Sequence, residues 1–386
     1  MIGLYVHVPY CTVRCSYCSF YLVTRRGRDL AAYARAVTAD IAGAAAWCAA
    51  RREVLCGAAE VADTLHFGGG TPSLLGAGGV ASIVSAARAA FGLARGSEIA
   101  VEANPEDLTP DLLAGLRDAG VTRLAIGVQS LDDRLLRLML RPHDASRAEE
   151  AVRSARRAGF GSLAADLILG LPGQEADGAL RDLDTLADLG VDHLSLYVLE
   201  VHEKTRLGRA VALGRTSIPP PDAVADLYDR AADRLALCGF EHYEISNFAR
   251  PGHRSRHNLK YWTDEEYLGF GPSAHSYFGG ERWSNPADLS GYLLRGGQGV
   301  ERVPDPQSRL GRGTEALLAG LRLAEGVDLE ALRRRYDDRL PGTGDPVVAD
   351  LAAAGLVETQ GGRLRLTRRG RLLSNEVLER LMPSAS

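Results

Sequence analysis

Three cysteines, Cys11, Cys15 and Cys18, lie within eight positions in the stretch YVHVPYCTVRCSYCSFY near the N-terminus. A structural zinc ion normally has four protein ligands, and no second Cys-x-x-Cys or His-x-His pair lies nearby to complete such a site. An iron-sulfur cube has four irons, so three cysteine ligands leave one iron open to an outside ligand. The spacing therefore predicts a 4Fe-4S cluster with one open iron; the alternative is three buried structural thiols.

The composition limits where this chemistry takes place. The chain has 386 residues, which can bury a large core, and a net charge of -4, which gives no general attraction to nucleic acid or an anionic membrane. Six cysteines in such a chain do not suggest a disulfide framework, and we expect the scattered Cys48, Cys56 and Cys238 to serve in packing. His7 and Pro9 interrupt the apolar N-terminus, and no later stretch of about 18 apolar residues appears. We therefore expect a soluble, cytoplasmic protein without an integral membrane segment.

Short β-rich runs alternate with helical stretches along the chain, which predicts an α/β fold with a parallel sheet. The helical stretches, such as DLAAYARAVTADIAGAAAW and SRAEEAVRSARRAGF, have apolar residues every three to four positions. Six βα units form either a doubly wound sheet or a barrel, and in both the ligand lies beyond the carboxyl ends of the strands. The predicted strands are LYVHV at 4–8, TLHFG at 64–68 and EIAVE at 98–102, followed by RLAIGV, LAADLIL and HLSLYVL.

Each predicted strand ends in polar or glycine residues. One polar group at a strand end is usually a cap or a turn former, but six in the same register indicate one shared pocket. GGGTP at 68–72 lacks the lysine of a P-loop, and its bare backbone suits either close approach of a ligand or a tight connection from strand to helix. The strand ends carry the cysteine loop, GGGTP, Glu102 with Asn104, Gln129 with Ser130, Asp166, and Tyr197 with Glu200.

Several motifs together carry a family resemblance. They are YVHVPYC, CSYCSFY, FGGGTPS, VEANPE, IGVQS, DLILGLPGQ and HNLKYW, and with them the chain resembles the radical S-adenosylmethionine (SAM) proteins related to oxygen-independent coproporphyrinogen oxidase. It is most similar to the HemW haem chaperones, which have phenylalanine where Phe20 stands, whereas the oxidases have a further cysteine there and a longer segment before the first strand. The resemblance implies a partial (β/α)6 radical SAM barrel whose open iron binds SAM.

The resemblance also implies which residues contact SAM. A carboxylate such as Glu102 accepts from ribose hydroxyls or an ammonium group, and the planar fork of Arg141 binds a carboxylate. Without the motifs, Arg141 would suggest a surface ion pair and Asp166 a helix cap. Leu140 stands where the family usually has glycine, and Ser19 stands where an acidic residue is common. The implied SAM contacts are Tyr5, Tyr17, Gly69, Gly70, Thr71, Glu102, Gln129, Arg141 and Asp166.

HNLKYW, at 257–262, separates haem handling from general radical chemistry in this family. A histidine can bind haem iron axially, and tyrosine and tryptophan offer flat surfaces to a porphyrin. On chemistry alone, a histidine beside aromatic residues is more often a hydrogen-bonded structural residue. The resemblance implies haem contacts from His257, Asn258, Tyr261 and Trp262. Arg254 and Arg256 lie just upstream and have the charge to pair with haem propionates.

The sequence changes character after about residue 305. Three helical stretches, a hairpin with Gly361 and Gly362 at its turn, and a final helix RRGRLLSNEVLERL predict a winged-helix-like domain. Its arginines suggest nucleic-acid binding or, as we prefer, a solvated face on a domain that caps the barrel or binds a protein. We thus expect a barrel at 1–215, an extension carrying HNLKYW at 216–305, and a C-terminal domain at 306–386.

Three functions compete at this point. The first is a haem chaperone that carries a 4Fe-4S cluster and SAM and gives haem to an acceptor such as a respiratory haem enzyme, with a homodimer possible. The second is a radical SAM enzyme acting on a tetrapyrrole or as a methyltransferase. The third is a nucleic-acid-binding protein. We favour the chaperone and expect neither coproporphyrinogen oxidase activity nor nucleic-acid binding.

Overall fold

Six parallel strands form the centre of the protein, in the order in which they occur along the chain. The computed structural model describes residues 1–24, 29–54, 61–305, 311–336 and 340–382. All six predicted strands are present, and the α/β prediction is confirmed. They are β1 (Ile2–Val8), β2 (Ala62–Gly69), β3 (Leu93–Ala103), β4 (Arg123–Gln129), β5 (Ser162–Leu169) and β6 (His193–Val198).

Helices connect these strands and cover one face of the sheet. They begin at residues that satisfy free backbone N-H groups: the Thr109 side chain accepts from the Leu112 amide, and the Asp144 side chain accepts from the Arg147 amide. The helices are α1 (Leu30–Val54), α2 (Gly76–Phe91), α3 (Pro110–Asp118), α4 (Asp133–Leu138), α5 (Ala145–Arg157), α6 (Ala176–Asp188) and α7 (Arg206–Ala212).

The period of two along each strand separates two environments. In β1, Leu4 and Val6 join the core under the helices, whereas Tyr5 and His7 face the inside of the barrel. The other strands repeat this alternation. Apolar residues therefore hold the helices on the sheet, and the polar residues between them line the interior.

Residues 216–305 extend both edges of the same sheet. Strand β8 pairs antiparallel with β6, and β9 pairs parallel with β1, so the sheet has twelve strands among the described residues. The elements of this segment are α8 (Pro221–Leu237), β7 (Glu241–Glu244), β8 (Asn247–Ala249), α9 (Arg256–Trp262), β9 (Tyr267–Phe270), β10 (His275–Phe278), β11 (Glu281–Ser284), α10 (Leu289–Leu294) and β12 (Val303–Pro304).

The C-terminal domain has its own apolar core and a three-stranded antiparallel sheet. Gly361 and Gly362, with φ of 60° and 80°, form the predicted hairpin turn. The predicted final helix is wrong in one respect, because it is divided at Leu373 into two helices. The elements are α11 (Arg312–Gly320), β13 (Val327–Asp328), α12 (Leu329–Arg335), α13 (Pro346–Ala353), β14 (Val357–Gln360), β15 (Arg363–Leu366), α14 (Arg368–Leu372) and α15 (Ser374–Leu381).

Two arginines of this domain are paired within the protein. Arg368 contacts Asp229 and Asp233 on α8, each at 2.7 Å, and Arg365 contacts Glu358 at 2.8 Å. Pairing with protein carboxylates reduces the charge available to a phosphate backbone. This arrangement favours the interpretation that the domain caps the barrel.

One helical segment, Pro72–Phe91, is long and apolar enough to cross a membrane by length and composition alone, contrary to our expectation that no such stretch exists. It contains α2, whose residues Val80, Ile83, Val84 and Ala87 are buried in the barrel core. A helix that packs in the core of a soluble protein passes the same test of length and composition, so this test alone does not indicate a membrane span.

Candidate cofactor site in the barrel

A cavity of about 840 Å³ opens at the carboxyl ends of the parallel strands. Side chains from β1, β3, β4, β5 and β6 point into it, and the cysteine loop lies against it. All three cysteines and all nine predicted SAM contacts line this one cavity, as a shared pocket at the strand ends requires.

The cysteine loop is closed at its base by backbone hydrogen bonds. The Cys11 amide donates to the Val23 carbonyl at 3.2 Å, and the Val23 amide donates to the Pro9 carbonyl at 2.6 Å. Arg14, inside the loop, donates to the carbonyl oxygens of Phe20 and Leu22 at 3.4 and 3.0 Å. The loop therefore presents its thiols from a fixed backbone.

Two side chains outside the loop contact the cysteine sulfur atoms. The Thr71 hydroxyl donates to Cys11 Sγ at 3.3 Å, and the Arg141 guanidinium donates to Cys15 Sγ at 3.4 Å. Burial raises the pKa of the Cys11 thiol to about 11 and also raises the pKa of Cys18. Binding iron at these cysteines must therefore displace protons, as thiolate ligation generally does.

A helix end fixes Arg141. Helix α4 ends in a Schellman motif, in which the Arg141 amide donates to the Leu136 carbonyl and the Leu140 amide donates to the Arg137 carbonyl. Leu140 takes the left-handed conformation of this motif with φ of 61°, which accounts for the family's usual glycine there. The Arg141 guanidinium then reaches Asn104 Oδ1 at 2.6 Å and the Gly127 carbonyl at 2.8 Å.

The glycine-rich turn allows β1 and β2 to meet closely at the cavity. Gly69 has φ of 107°, and a Cβ atom there would lie 2.7 Å from the His7 ring. A Cβ atom on Gly70 would lie 2.6 Å from the Tyr10 carbonyl oxygen. Both glycines are therefore required for the tight connection, and they also line the cavity, so the two interpretations of GGGTP are compatible.

Two carboxylates face the cavity, from β3 and β5, with β4 between them. Glu102 Oε1 lies 2.9 Å from His66 Nε2, and because a carboxylate oxygen accepts, His66 is the donor. Asp166 lies on β5, and burial raises its pKa to about 6. Gln129, at the end of β4, has φ of 68°, a conformation that a non-glycine residue adopts at a cost and that is common at functional sites.

HNLKYW lies in helix α9, which therefore carries all the predicted haem contacts. His257 is fully buried, with Nδ1 at 2.8 Å from Thr64 Oγ1 and Nε2 at 2.9 Å from the Tyr261 hydroxyl. Burial lowers the pKa of His257 well below its ordinary value, so the ring is neutral. Tyr261 lines the cavity. Trp262 instead lies under the Arg322 guanidinium, whose carbon is 4.6 Å from the centre of the Trp262 ring.

This placement matches the hydrogen-bonded structural histidine that chemistry alone favours. His257, Asn258 and Trp262 are not among the residues that line the cavity, and both His257 nitrogens already have partners. The haem role of HNLKYW stays a prediction.

The three scattered cysteines lie away from the cysteine loop in sequence. Cys48 is buried, Cys238 is half-buried, and Cys56 lies outside the described residues.

Comparisons with known proteins place the chain among its relatives. Residues 5–179 match the Radical SAM superfamily, and residues 308–373 match the HemN C-terminal domain. The chain is 38% identical over 393 residues to heme chaperone HemW of Mycobacterium tuberculosis, covering 98% of this chain and 94% of the relative. It is 33% identical over 380 residues to HemW of Bacillus subtilis, covering 98% of each. The chain belongs to the HemW family.

The fold of this HemW-family chain is also that of a solved structure. Coproporphyrinogen III oxidase, HemN, of Escherichia coli is described as a radical SAM enzyme, and it superposes with a TM-score of 0.81 at 24% identity, covering 100% of this chain and 90% of that one. The likeness confirms the radical SAM fold with an added C-terminal domain. At this identity it shows the shared fold alone.

The HemW-family cavity suits the groups that the radical SAM family implies. In the described part of the chain, no three Cys, His, Asp or Glu side chains converge closely enough to hold a single metal ion. In an iron-sulfur cube each cysteine binds a different iron, so three thiols around one cavity fit a cube better than a lone ion. Glu102, Asp166 and Arg141 complement the ammonium, hydroxyl and carboxylate groups of SAM.

Sequence reasoning missed part of this HemW-family cavity. Tyr267, Ser273 and His275, from β9, β10 and the loop between them, line it beside β1. The sequence pattern that would place β9 beside the cavity is weak, because β9 has only four residues, YLGF, and pairs with a strand more than 250 positions earlier. His7 and His202 also line the cavity, although no motif assigned them a role.

Proposed function

We propose that this protein is a haem chaperone, which binds haem and transfers it to an acceptor protein such as a respiratory haem enzyme. The observation that carries the proposal is the full-length similarity to proteins named heme chaperone HemW, at 38% and 33% identity. The cavity supports it, because it is wide enough for cofactors and has exposed apolar side chains, Phe20 and Val198 among them. A cytoplasmic location and a possible homodimer belong to the same proposal.

The proposal includes a 4Fe-4S cluster on Cys11, Cys15 and Cys18 and SAM beside it. When bound, the cluster would supply an electron to SAM. The chain's own residues would hold the two groups: Thr71 and Arg141 contact the thiols, and Glu102, Gln129 and Asp166 line the space beside them. The backbone after β1 and β2 packs closely at Gly69 and Gly70, where an added Cβ atom would lie 2.7 and 2.6 Å from its neighbours.

Titration of the purified protein with haem tests the proposal. A chaperone gives a shifted Soret band and saturable binding, and the haem-loaded protein passes haem to an apo-acceptor such as an apocytochrome. Apomyoglobin serves as a control that takes up free haem. Failure of the purified protein to bind haem, or transfer no faster than from free haem, would contradict the chaperone function.

A radical SAM enzyme acting on a tetrapyrrole is the second candidate, because the predicted SAM contacts all line the cavity beside the cysteines. Production of 5'-deoxyadenosine that depends on an added porphyrinogen, under anaerobic reduction, would favour the enzyme. Cleavage without any substrate dependence would not distinguish the two functions, so the assay needs matched reactions with and without porphyrinogen.

A further inference from the structure

The nine histidines of the chain all lie in its described part, and three of them, His7, His202 and His275, line the cavity. His7 is buried, and its ring nitrogens lie 3.2 Å from the Tyr5 hydroxyl and 3.2 Å from the Tyr21 carbonyl. The side chains of His202 and His275 are 49% and 62% exposed. A ligand that enters the cavity can therefore reach these two imidazoles first.

The backbone of His202 is fixed while its side chain is available. The Thr205 amide and hydroxyl both donate to the His202 carbonyl, at 2.9 and 2.6 Å, and a Cβ atom on Gly208 would lie 2.1 Å from that carbonyl oxygen. Among the described residues, the neighbour of its ring nitrogens is Glu200, whose Oε2 lies 3.6 Å from Nε2, beyond hydrogen-bond distance. A fixed backbone limits the positions that this imidazole can take, and its exposed ring remains accessible to a ligand in the cavity.

The segment around His202 is joined to the cysteine loop. The Leu207 amide donates to the Ser16 carbonyl at 2.7 Å, and the Leu199 amide donates to the Leu169 carbonyl at the end of β5 at 2.8 Å. His202 thus lies on a loop held between the strand ends and the cysteines, at the opening of the cavity.

Apolar side chains stand exposed just before His202. Tyr197 and Val198 end β6 with 43% and 46% of their surface exposed, although the four preceding residues of that strand are buried. Both border the cavity, but Tyr197 pairs with Ile168, which also lines it, whereas Val198 pairs with Leu169 of the core and faces the other side of the sheet. The exposed ring of Tyr197 therefore offers a flat surface to an apolar ligand in the cavity.

His275 lacks an exposed apolar surface on its own strand. The three residues that follow it in β10, Ser276, Tyr277 and Phe278, are all buried, so no exposed apolar surface adjoins it on its own strand. His257 is fully buried with both nitrogens engaged. Among the described histidines, His202 best combines access to the cavity, an imidazole without a hydrogen bond and a neighbouring apolar surface.

We propose that His202 is an axial ligand of the haem iron, with the porphyrin lying against Tyr197 at the opening of the cavity. This inference rests on the proposed function. Glu200 Oε2 lies 3.6 Å from His202 Nε2, so a carboxylate stands close enough to orient the imidazole, as carboxylates do for many metal-bound histidines. Lys204, exposed on the same loop, and Arg206, exposed at the first residue of α7, would provide cations for the propionates.

Haem titration of the wild type and of His202→Ala, His202→Gln and His253→Ala tests the ligand. His253 is a partly exposed histidine that does not line the cavity, so it is the matched control. We expect both His202 variants to lose at least tenfold in haem affinity or to shift the Soret band, while His253→Ala behaves as the wild type. Thermal unfolding and iron content of each variant identify loss of folding, and the conservative His202→Gln substitution supplies the result if His202→Ala does not fold.

The outcomes separate this inference from the proposed function. If the wild type does not bind haem, both the chaperone proposal and the assignment of His202 as a ligand are wrong. If the wild type binds haem and folded His202→Gln keeps its affinity and spectrum, the chaperone proposal stands and His202 is not the ligand. A change in His275→Ala or His257→Ala without a change in the His202 variants would likewise overturn the assignment.

Discussion

The guanidinium of Arg141 lies 3.4 Å from Cys15 Sγ and joins the end of helix α4 to the cysteine loop. The same side chain contacts Asn104 and the Gly127 carbonyl, so one planar group links three elements at the cavity. A lysine cannot reproduce this geometry, because its ammonium is a single point of charge on a flexible stem.

We therefore expect Arg141→Lys to weaken SAM binding about tenfold, the effect of losing one hydrogen bond to a charged group, roughly 1.5 kcal/mol. Isothermal titration of the anaerobic, iron-loaded protein measures this affinity. Arg137→Lys, on the exposed face of the same helix, is the control and should bind SAM as the wild type does. Equal affinities for the two variants would contradict a role for the Arg141 fork.

The stability of variants at Leu140 should follow the left-handed backbone conformation of this residue, in which glycine is favoured over alanine. With φ of 61°, any Cβ atom at this position is strained by about 1 kcal/mol, so we expect Leu140→Gly to be more stable than Leu140→Ala by about that amount. Both variants lack the leucine side chain, so their difference isolates the backbone. Urea unfolding provides the comparison, and an alanine variant as stable as the glycine variant would show that the left-handed conformation is absent in solution.

Cys15→Ala should prevent assembly of the complete 4Fe-4S cluster, because no other described cysteine lines the cavity to replace it. Iron and sulfide analysis with EPR after anaerobic reconstitution measures assembly. Cys238→Ala, at the end of α8 and away from the cavity, should assemble the cluster normally. A full cluster in Cys15→Ala would refute the three-cysteine assignment.

Asp40 should make stability depend on pH. Its carboxyl accepts from the Tyr292 hydroxyl at 2.9 Å, and burial raises its pKa from an ordinary 3.8 to about 6. The folded state therefore holds this proton more tightly than the unfolded state, so stability falls as pH rises from about 4 to about 6 and stays lower above that range. The cost at neutral pH is about 3 kcal/mol as an upper order of magnitude.

Asp40→Asn, which keeps an acceptor oxygen, should consequently gain stability at pH 7.5 and gain little at pH 4. Urea unfolding at both values measures the change. Asp350→Asn, at an exposed position within α13, is the control and should change little at either pH. An equal gain for Asp40→Asn at pH 4 and pH 7.5 would exclude proton linkage as the cause.

His66 should position Glu102. His66 Nε2 donates to Glu102 Oε1 at 2.9 Å, and its Nδ1 is buried without a partner among the described groups. Removing the donor in His66→Ala should weaken SAM binding about fivefold, equivalent to roughly 1 kcal/mol for one hydrogen bond. His66→Gln, which can still donate, should recover part of the affinity, whereas a purely structural role predicts equal losses in both variants.

Local sequence patterns predicted much of this protein. Alternation of apolar and polar residues predicts β1 to β6, because side chains of a strand point to opposite faces in turn. The cysteine spacing and the polar strand ends predict one site, and the structure brings these residues around one cavity because parallel strands end at the same edge. These inferences need only neighbours in sequence or the general geometry of a parallel sheet.

The position of HNLKYW could not be predicted in this way. Its pattern is compatible with both an exposed haem ligand and a buried structural histidine, and only packing of α9 against β2, with His257 beside Thr64, places the histidine in the interior. The pairing of β9 with β1 likewise depends on strands distant in sequence, whose hydrogen bonds form only in the folded chain.

The sequence by itself determined the strands, most of the helices and the set of residues that face one cavity, because periodicity and strand direction are local properties. Only the tertiary structure decided that His257 is enclosed and that His202 stands at the opening, since exposure depends on which segments pack over a side chain. Two histidines of similar intrinsic chemistry thus differ in accessibility, because one is covered by the barrel and the other lies on a loop at its rim.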